Sequence, residues 1–124
     1  MTKRLSVIIL FLTLNSCYLL KKNGIDFEIV NKSNAEITNV KFTTSEKLNI
    51  IEIEKIEPNE IMSEFLSMKY NKTDGAYFLE FTRSNGKKEI FKRGYYTNGG
   101  SLDRWVKFEV EKDTVVVEFS GSGY

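Results

Sequence analysis

Apolar residues recur at every second position in short runs along most of this chain, and that period narrows its fold more than any other feature. Ile25, Phe27 and Ile29 alternate with Asp26 and Glu28, and Ile51 and Ile53 alternate with Glu52 and Glu54. Tyr77, Leu79 and Phe81 share a face, as do Val106, Phe108 and Val110, and then Val115, Val117 and Phe119. A period of two belongs to a strand with one buried face, because successive side chains leave a strand on opposite sides. Runs of this kind occupy 25–31, 36–44, 48–56, 61–69, 76–82, 88–97, 104–111 and 114–119. Between them stand clusters such as Asn31-Lys32-Ser33-Asn34, Glu57-Pro58-Asn59-Glu60, Asp74-Gly75 and Lys112-Asp113, built from the residues that turns demand.

Two runs carry irregularities. Ile37 is out of phase with Val40 and Phe42, which predicts a bulge near Thr38-Asn39. In 61–69, Ile61, Phe65 and Met68 also fit one helical face, but the run is short and its neighbours are strands, so a strand is predicted. Ser84-Asn85-Gly86-Lys87 contains the Asn-Gly pair that favours a hairpin, with 88–97 as its return strand, and Asn98-Gly99-Gly100-Ser101 reads as a loop. The spacing predicts an all-β protein: an antiparallel β-sandwich of about eight strands with an immunoglobulin-like look, lacking the Cys…Trp…Cys hallmark of true immunoglobulin domains. A small β-barrel is the alternative.

The first residues do not belong to that pattern. Lys3 and Arg4 precede the uncharged apolar run Leu5 to Leu14, and Asn15-Ser16 lead to Cys17. A basic start, a short apolar stretch and small residues at the cut describe a secretory signal; a membrane-spanning helix needs about 20 apolar residues. Cys17 is the only cysteine, so an internal disulfide is impossible. Leu14-Asn15-Ser16-Cys17 resembles the lipobox of bacterial lipoproteins, in which the cysteine is lipidated and the leader removed. Asn15 departs from the commonest form, and looser lipoboxes are typical of Bacteroidetes-type bacteria. The expected organisation is a signal peptide over 1–16, a lipidated N-terminus and tether over 17–24, a β-sandwich over 25–120 and a flexible tail over 121–124. No Asp follows Cys17 and no acidic cluster follows it, which by analogy points to the outer membrane, facing the periplasm. The pieces FEIVNKSNAEITNVKF, IEPNE, DGAYFLEF, GYYTNGG and DTVVVEF resemble those of small Bacteroidetes lipoproteins; the resemblance implies a compact β domain and no defined activity.

Composition removes several chemistries. The chain has no histidine, and no cysteine remains after Cys17, so Ser-His, Cys-His and zinc-based mechanisms lack their residues. No metal, no cofactor and no enzymatic activity are expected. Without Lys3 and Arg4, sixteen basic residues face seventeen acidic ones, a balance that offers no footprint for nucleic acid and no polybasic patch.

Three sets of residues qualify as sites. Tyr95, Tyr96 and Asn98, with Trp105 nearby, predict an aromatic surface beside a glycine-rich loop, suited to a glycan or a protein; the same residues also suit an ordinary sheet edge followed by a turn. Glu52, Glu54, Glu57, Glu60 and Glu64 offer paired carboxylates, or simply a solvated polar face. Asp113-Thr114-Val115 resembles a Bacteroidetes O-glycosylation site at Thr114, and a turn entering a strand explains the same residues. The expected function is that of a membrane-anchored, non-catalytic envelope module that binds protein or glycan or serves a structural role. The alternative is an inhibitor or immunity protein against an envelope-targeting enzyme.

Overall fold

The structure is a computed structural model and describes residues 22–121. The expected signal peptide, the Cys17 lipidation site and all but the first residue of the expected tail lie outside the described residues. The rest is all-β: β1 Gly24–Asn31, β2 Ile37–Thr44, β3 Ile51–Ile56, β4 Ile61–Ser67, β5 Gly75–Arg83, β6 Lys88–Thr97, β7 Gly100–Ser101, β8 Trp105–Val110 and β9 Val115–Phe119. They form two sheets, ordered β4-β1-β8-β9 and β3-β2-β5-β6-β7. This is the predicted sandwich. The ambiguous 61–69 run is the edge strand β4.

The inward residues of both sheets meet in one core. Phe27 and Phe42 face each other across it with ring centroids 4.3 Å apart, and Phe108 meets Phe42 edge-on at 5.6 Å. Offset and edge contacts of this kind add to the area they bury. The alternation read from the sequence holds in detail: Ile25, Phe27 and Ile29, and Val106, Phe108 and Val110, are all buried.

The bulge falls where Ile37 placed it. Thr38 pairs with Thr82 and Lys41 with Glu80, so Asn39 and Val40 together oppose Phe81, and Asn39 takes a φ of 50°. β3 follows β2 through the irregularity in unbroken register, pairing Ile37 with Ile56 and Val40 with Ile53. That is why Ile53 and Ile56, three residues apart, are both buried. The run expected to begin at 48 begins at Ile51; Leu48 and Ile50 belong to an exposed loop.

Two features depart from expectation. β1 pairs with β8 in parallel, from Asp26 opposite Trp105 to Asn31 opposite Val110, so the four-stranded sheet is mixed. Residues 98–101 are a tight hairpin rather than a loop: Thr97 pairs with Gly100 across Asn98 and Gly99, whose φ values are 49° and 72°. Two successive positive φ values are what a two-residue turn of this hand needs, and Asn-Gly supplies them at least cost.

The loops divide between two ends. The far end carries the connections β1–β2, β3–β4, β5–β6 and β8–β9. The entry end carries β2–β3, β4–β5 and β7–β8, the tight β6–β7 turn, and both ends of the described chain, Lys22 and Gly121.

Candidate functional site

The surface predicted around Tyr95 comes apart in three dimensions. Tyr95 points outward and its hydroxyl donates to Asp74 Oδ2 at 3.3 Å. The negative charge of Asp74 holds the Tyr95 hydroxyl above its ordinary range. Asn98 is exposed and its backbone N–H donates to Asp74 Oδ1 at 2.8 Å, so Tyr95 and Asn98 do converge. Tyr96 does not join them, a correction to the predicted surface. Its side chain leaves the strand on the opposite face and is wholly buried, with its hydroxyl donating to Glu46 Oε2 at 2.7 Å. Trp105 is on the outer face of the other sheet, the second correction.

Trp105 has different neighbours. Asp26 pairs with Trp105 on one side and with Phe65 on the other, which sets Phe65, Asp26 and Trp105 in one row across β4, β1 and β8. Trp105 is 41% exposed and Phe65 37%. Adjacent strands are about 4.8 Å apart, so the two aromatic positions stand roughly 10 Å apart with the carboxylate between them. The next row places Glu28 between Ser63 and Lys107, whose Nζ lies 3.9 Å from Glu28 Oε1. Together these residues line an open groove of about 520 Å³. Gly24 makes room for the Phe65 ring: a Cβ there would run into that ring and into the Leu66 carbonyl. On its outward face the groove holds two acids, Asp26 and Glu28, and one cation, Lys107; Glu64 pairs with the core residue Phe27, so its side chain leaves the strand on the other side.

Sequence reasoning found Trp105 and missed Asp26 and Phe65. Asp26 read as the polar half of an alternating strand, and Phe65 as part of an ambiguous run. What joins them is the parallel pairing of β1 with β8, which no local pattern announces.

The other predicted residues do not assemble. Glu52 and Glu54 are exposed on the edge strand β3, and Glu52 lies 3.8 Å from Lys41. Glu57 and Glu60 stand in the far-end turn, where Glu57 N–H donates to Glu60 Oε1 at 3.2 Å. Among the described residues no group of three acids, cysteines or histidines could hold a metal ion. Thr114 is exposed in the β8–β9 turn.

Behind the entry-end loops lies a polar cluster that the sequence did not reveal. Glu46 Oε1 accepts from the backbone N–H of Lys72 at 3.0 Å and of Thr73 at 3.3 Å, and Glu46 Oε2 accepts from Tyr96. The Lys72 N–H is the chief cause holding the Glu46 carboxyl below its ordinary range; the hydrogen bonds from Tyr96 and Thr73 act in the same direction. Asn71 Nδ2 donates to Thr44 Oγ1 at 2.8 Å and to the Tyr96 hydroxyl at 3.3 Å. Every member is tied to backbone or to another member, which is the signature of a structural brace.

No protein-family model matches the chain, and no curated protein matches it. The fold is similar to that of an NMR structure of a protein from Eubacterium rectale, with a TM-score of 0.55 and 14% identity over 83% of this chain and 95% of that one. At that identity the likeness speaks to the fold alone.

Proposed function

We propose that this chain is a lipid-anchored, non-catalytic saccharide-binding module of a bacterial envelope. The row Phe65–Asp26–Trp105 carries the reading. Aromatic faces take up the apolar C–H face of a pyranose ring, and a carboxylate between them accepts from ring hydroxyls. Such a charge-assisted hydrogen bond is stronger than a neutral one. The excess of acid in the groove disfavours polyanions and favours neutral or amino sugars. The anchor rests on the likeness of Leu14-Asn15-Ser16-Cys17 to a lipobox, and the non-catalytic reading on the missing histidines.

Trp105 is the only tryptophan and is itself the probe. Titration with soluble envelope glycans is expected to shift its emission, and Asp26→Asn to weaken binding roughly tenfold or more, the worth of a hydrogen bond to a charged group. Unchanged emission across neutral and amino-sugar polymers would remove the saccharide reading. The intact mass of the protein from native membranes tests the anchor separately: cleavage before Cys17 plus acyl chains is the expected result, and an unlipidated chain refutes it.

A further inference from the structure

The two ends of the sandwich differ in a way the groove does not use. At the far end the loops are 32–36, 57–60, 84–87 and 111–114, and none of them exposes a large apolar side chain; the exposed apolar residue there is Ile61, which opens β4. At the entry end, Leu48 and Ile50 project from the β2–β3 loop, Tyr70 from the β4–β5 loop and Leu102 from the β7–β8 loop. Tyr70 is 67% exposed, Leu48 55% and Leu102 54%. Large apolar side chains so exposed on several loops of one end are a costly arrangement for a surface facing only water.

Charge follows the same axis. The far-end loops hold three cations, Lys32, Lys87 and Lys112, against five acids, Glu36, Glu57, Glu60, Glu111 and Asp113. The entry end reverses this, with Lys22, Lys47, Lys69, Lys72 and Arg104 against Glu46, Asp74 and Asp103. Those three acids turn toward the protein: Glu46 and Asp74 accept from backbone N–H groups as described, and Asp103 Oδ1 accepts from Gly121 N–H at 2.6 Å. The ion pairs Lys32–Glu109, Lys55–Glu57 and Lys87–Glu89 lie toward the far end.

The chain enters the fold in the middle of this surface. Asn23 Nδ2 donates to Met68 O at 3.1 Å and to Gly99 O at 2.8 Å, and its backbone carbonyl accepts from Met68 N–H at 2.9 Å. The entry point is thus fixed between the start of the β4–β5 loop, which carries Tyr70, and the β6–β7 turn. Five residues separate Cys17 from Asn23, a reach of about 20 Å when fully extended.

We infer that the entry end is a membrane-docking face, with Leu48, Tyr70 and Leu102 entering the interfacial region of the bilayer and the surrounding Lys47, Lys69 and Arg104 meeting anionic headgroups. Apolar tips ringed by cations are the composition that holds a protein at a bilayer surface, and each lysine or arginine near an anionic leaflet adds to the attraction. The orientation rests on the lipid-anchor reading, which puts the bilayer on this side. The face itself is testable without the anchor.

Every strand lies within residues 24–119, so a chain of residues 18–124 made without lipid keeps the whole sandwich. Its co-sedimentation with vesicles of phosphatidylcholine containing phosphatidylglycerol is the measurement. Binding is expected, weakening as salt rises, about tenfold or more weaker for Leu48→Ser combined with Leu102→Ser, and unchanged for Ile61→Ser combined with Ile90→Ser, which lie away from this end. Failure of the parent to bind, or equal loss in both double variants, would overturn the inference. Vesicle binding by the lipid-free chain alongside an unlipidated native mass would remove the anchor and leave the face standing. A lipidated native protein whose domain ignores vesicles would remove the face alone.

Discussion

The far end and the entry end of the sandwich are closed by opposite strategies. At the far end Asn31, wholly buried, ties two turns together. Its Nδ2 donates to Ala35 O at 2.8 Å and Ile56 O at 2.9 Å, and its Oδ1 accepts from Ser33 N–H at 3.0 Å and Ser33 Oγ at 2.6 Å. Its backbone bonds the β3–β4 turn as well, donating to Glu60 O at 3.1 Å and accepting from Asn59 N–H at 2.6 Å. One fully satisfied side chain lets short polar turns pack without apolar help. The entry end spreads the same work over Glu46, Asn71, Tyr96 and Asn23, and leaves its loop tips free to be apolar. A sandwich can therefore have two turns at one end tied by a single buried residue while the other end is braced from beneath and exposes apolar loop tips.

That contrast predicts unequal sensitivity. Asn31→Ala should have the largest effect, about 3 kcal/mol or more, because it orphans buried backbone groups in addition to losing its own bonds. At roughly 4–8 °C per kcal/mol for a domain of this size, thermal unfolding should fall by more than about 10 °C. A loss under about 1 kcal/mol would mean that the far end is not held by this residue.

Tyr77 comes next. Burial pushes its hydroxyl up to about 12, despite a 2.8 Å hydrogen bond with Ser101 Oγ. The folded state holds this proton more tightly than the unfolded chain. The stabilisation is therefore complete below the ordinary tyrosine value of about 10 and is lost as pH rises toward 12. Denaturation at alkaline pH should show a loss of about 2 kcal/mol across that window that Tyr77→Phe lacks. Parallel curves for the two proteins would contradict the burial argument.

Tyr96→Phe keeps the ring and removes only the hydroxyl bonded to Glu46. It should cost about 1 kcal/mol, and hydrogen exchange should rise in the β4–β5 loop while the far-end turns stay protected. Equal loss of protection at both ends would erase the distinction between them. The smallest effect is at Glu46. Its lowered folded-state value means that its stabilisation is present above the ordinary glutamate range and is lost as pH falls through the folded value. Glu46→Gln should therefore flatten the acid limb of the stability profile and leave the alkaline limb alone.

Much of the fold was legible because alternation is a local property. Ile25, Phe27 and Ile29 announced β1, and the phase slip at Ile37 announced the bulge. The site was less legible for the same reason. Tyr95 and Tyr96 looked equivalent in sequence, and only strand geometry turns one outward and the other into the core. Trp105 stood out as the only tryptophan, but its partners Asp26 and Phe65 are supplied by pairings that span most of the chain. Asn31 read as a turn residue, since nothing around it reveals that its amide would bond both its own turn and the end of β3.

The parallel pairing of β1 with β8 also governs when the molecule can form. β1 lies between β4 and β8, so the slot for the first strand closes only after the stretch from Trp105 to Val110 has been made. Contacts joining the beginning of a chain to its end form slowly, because a long loop must be ordered before any contact rewards it. The ribosome finishes most of this polypeptide before its four-stranded sheet can be completed. The four-stranded sheet, with β8 and β9 supplied last, is therefore the part of the fold that the growing chain completes at the end.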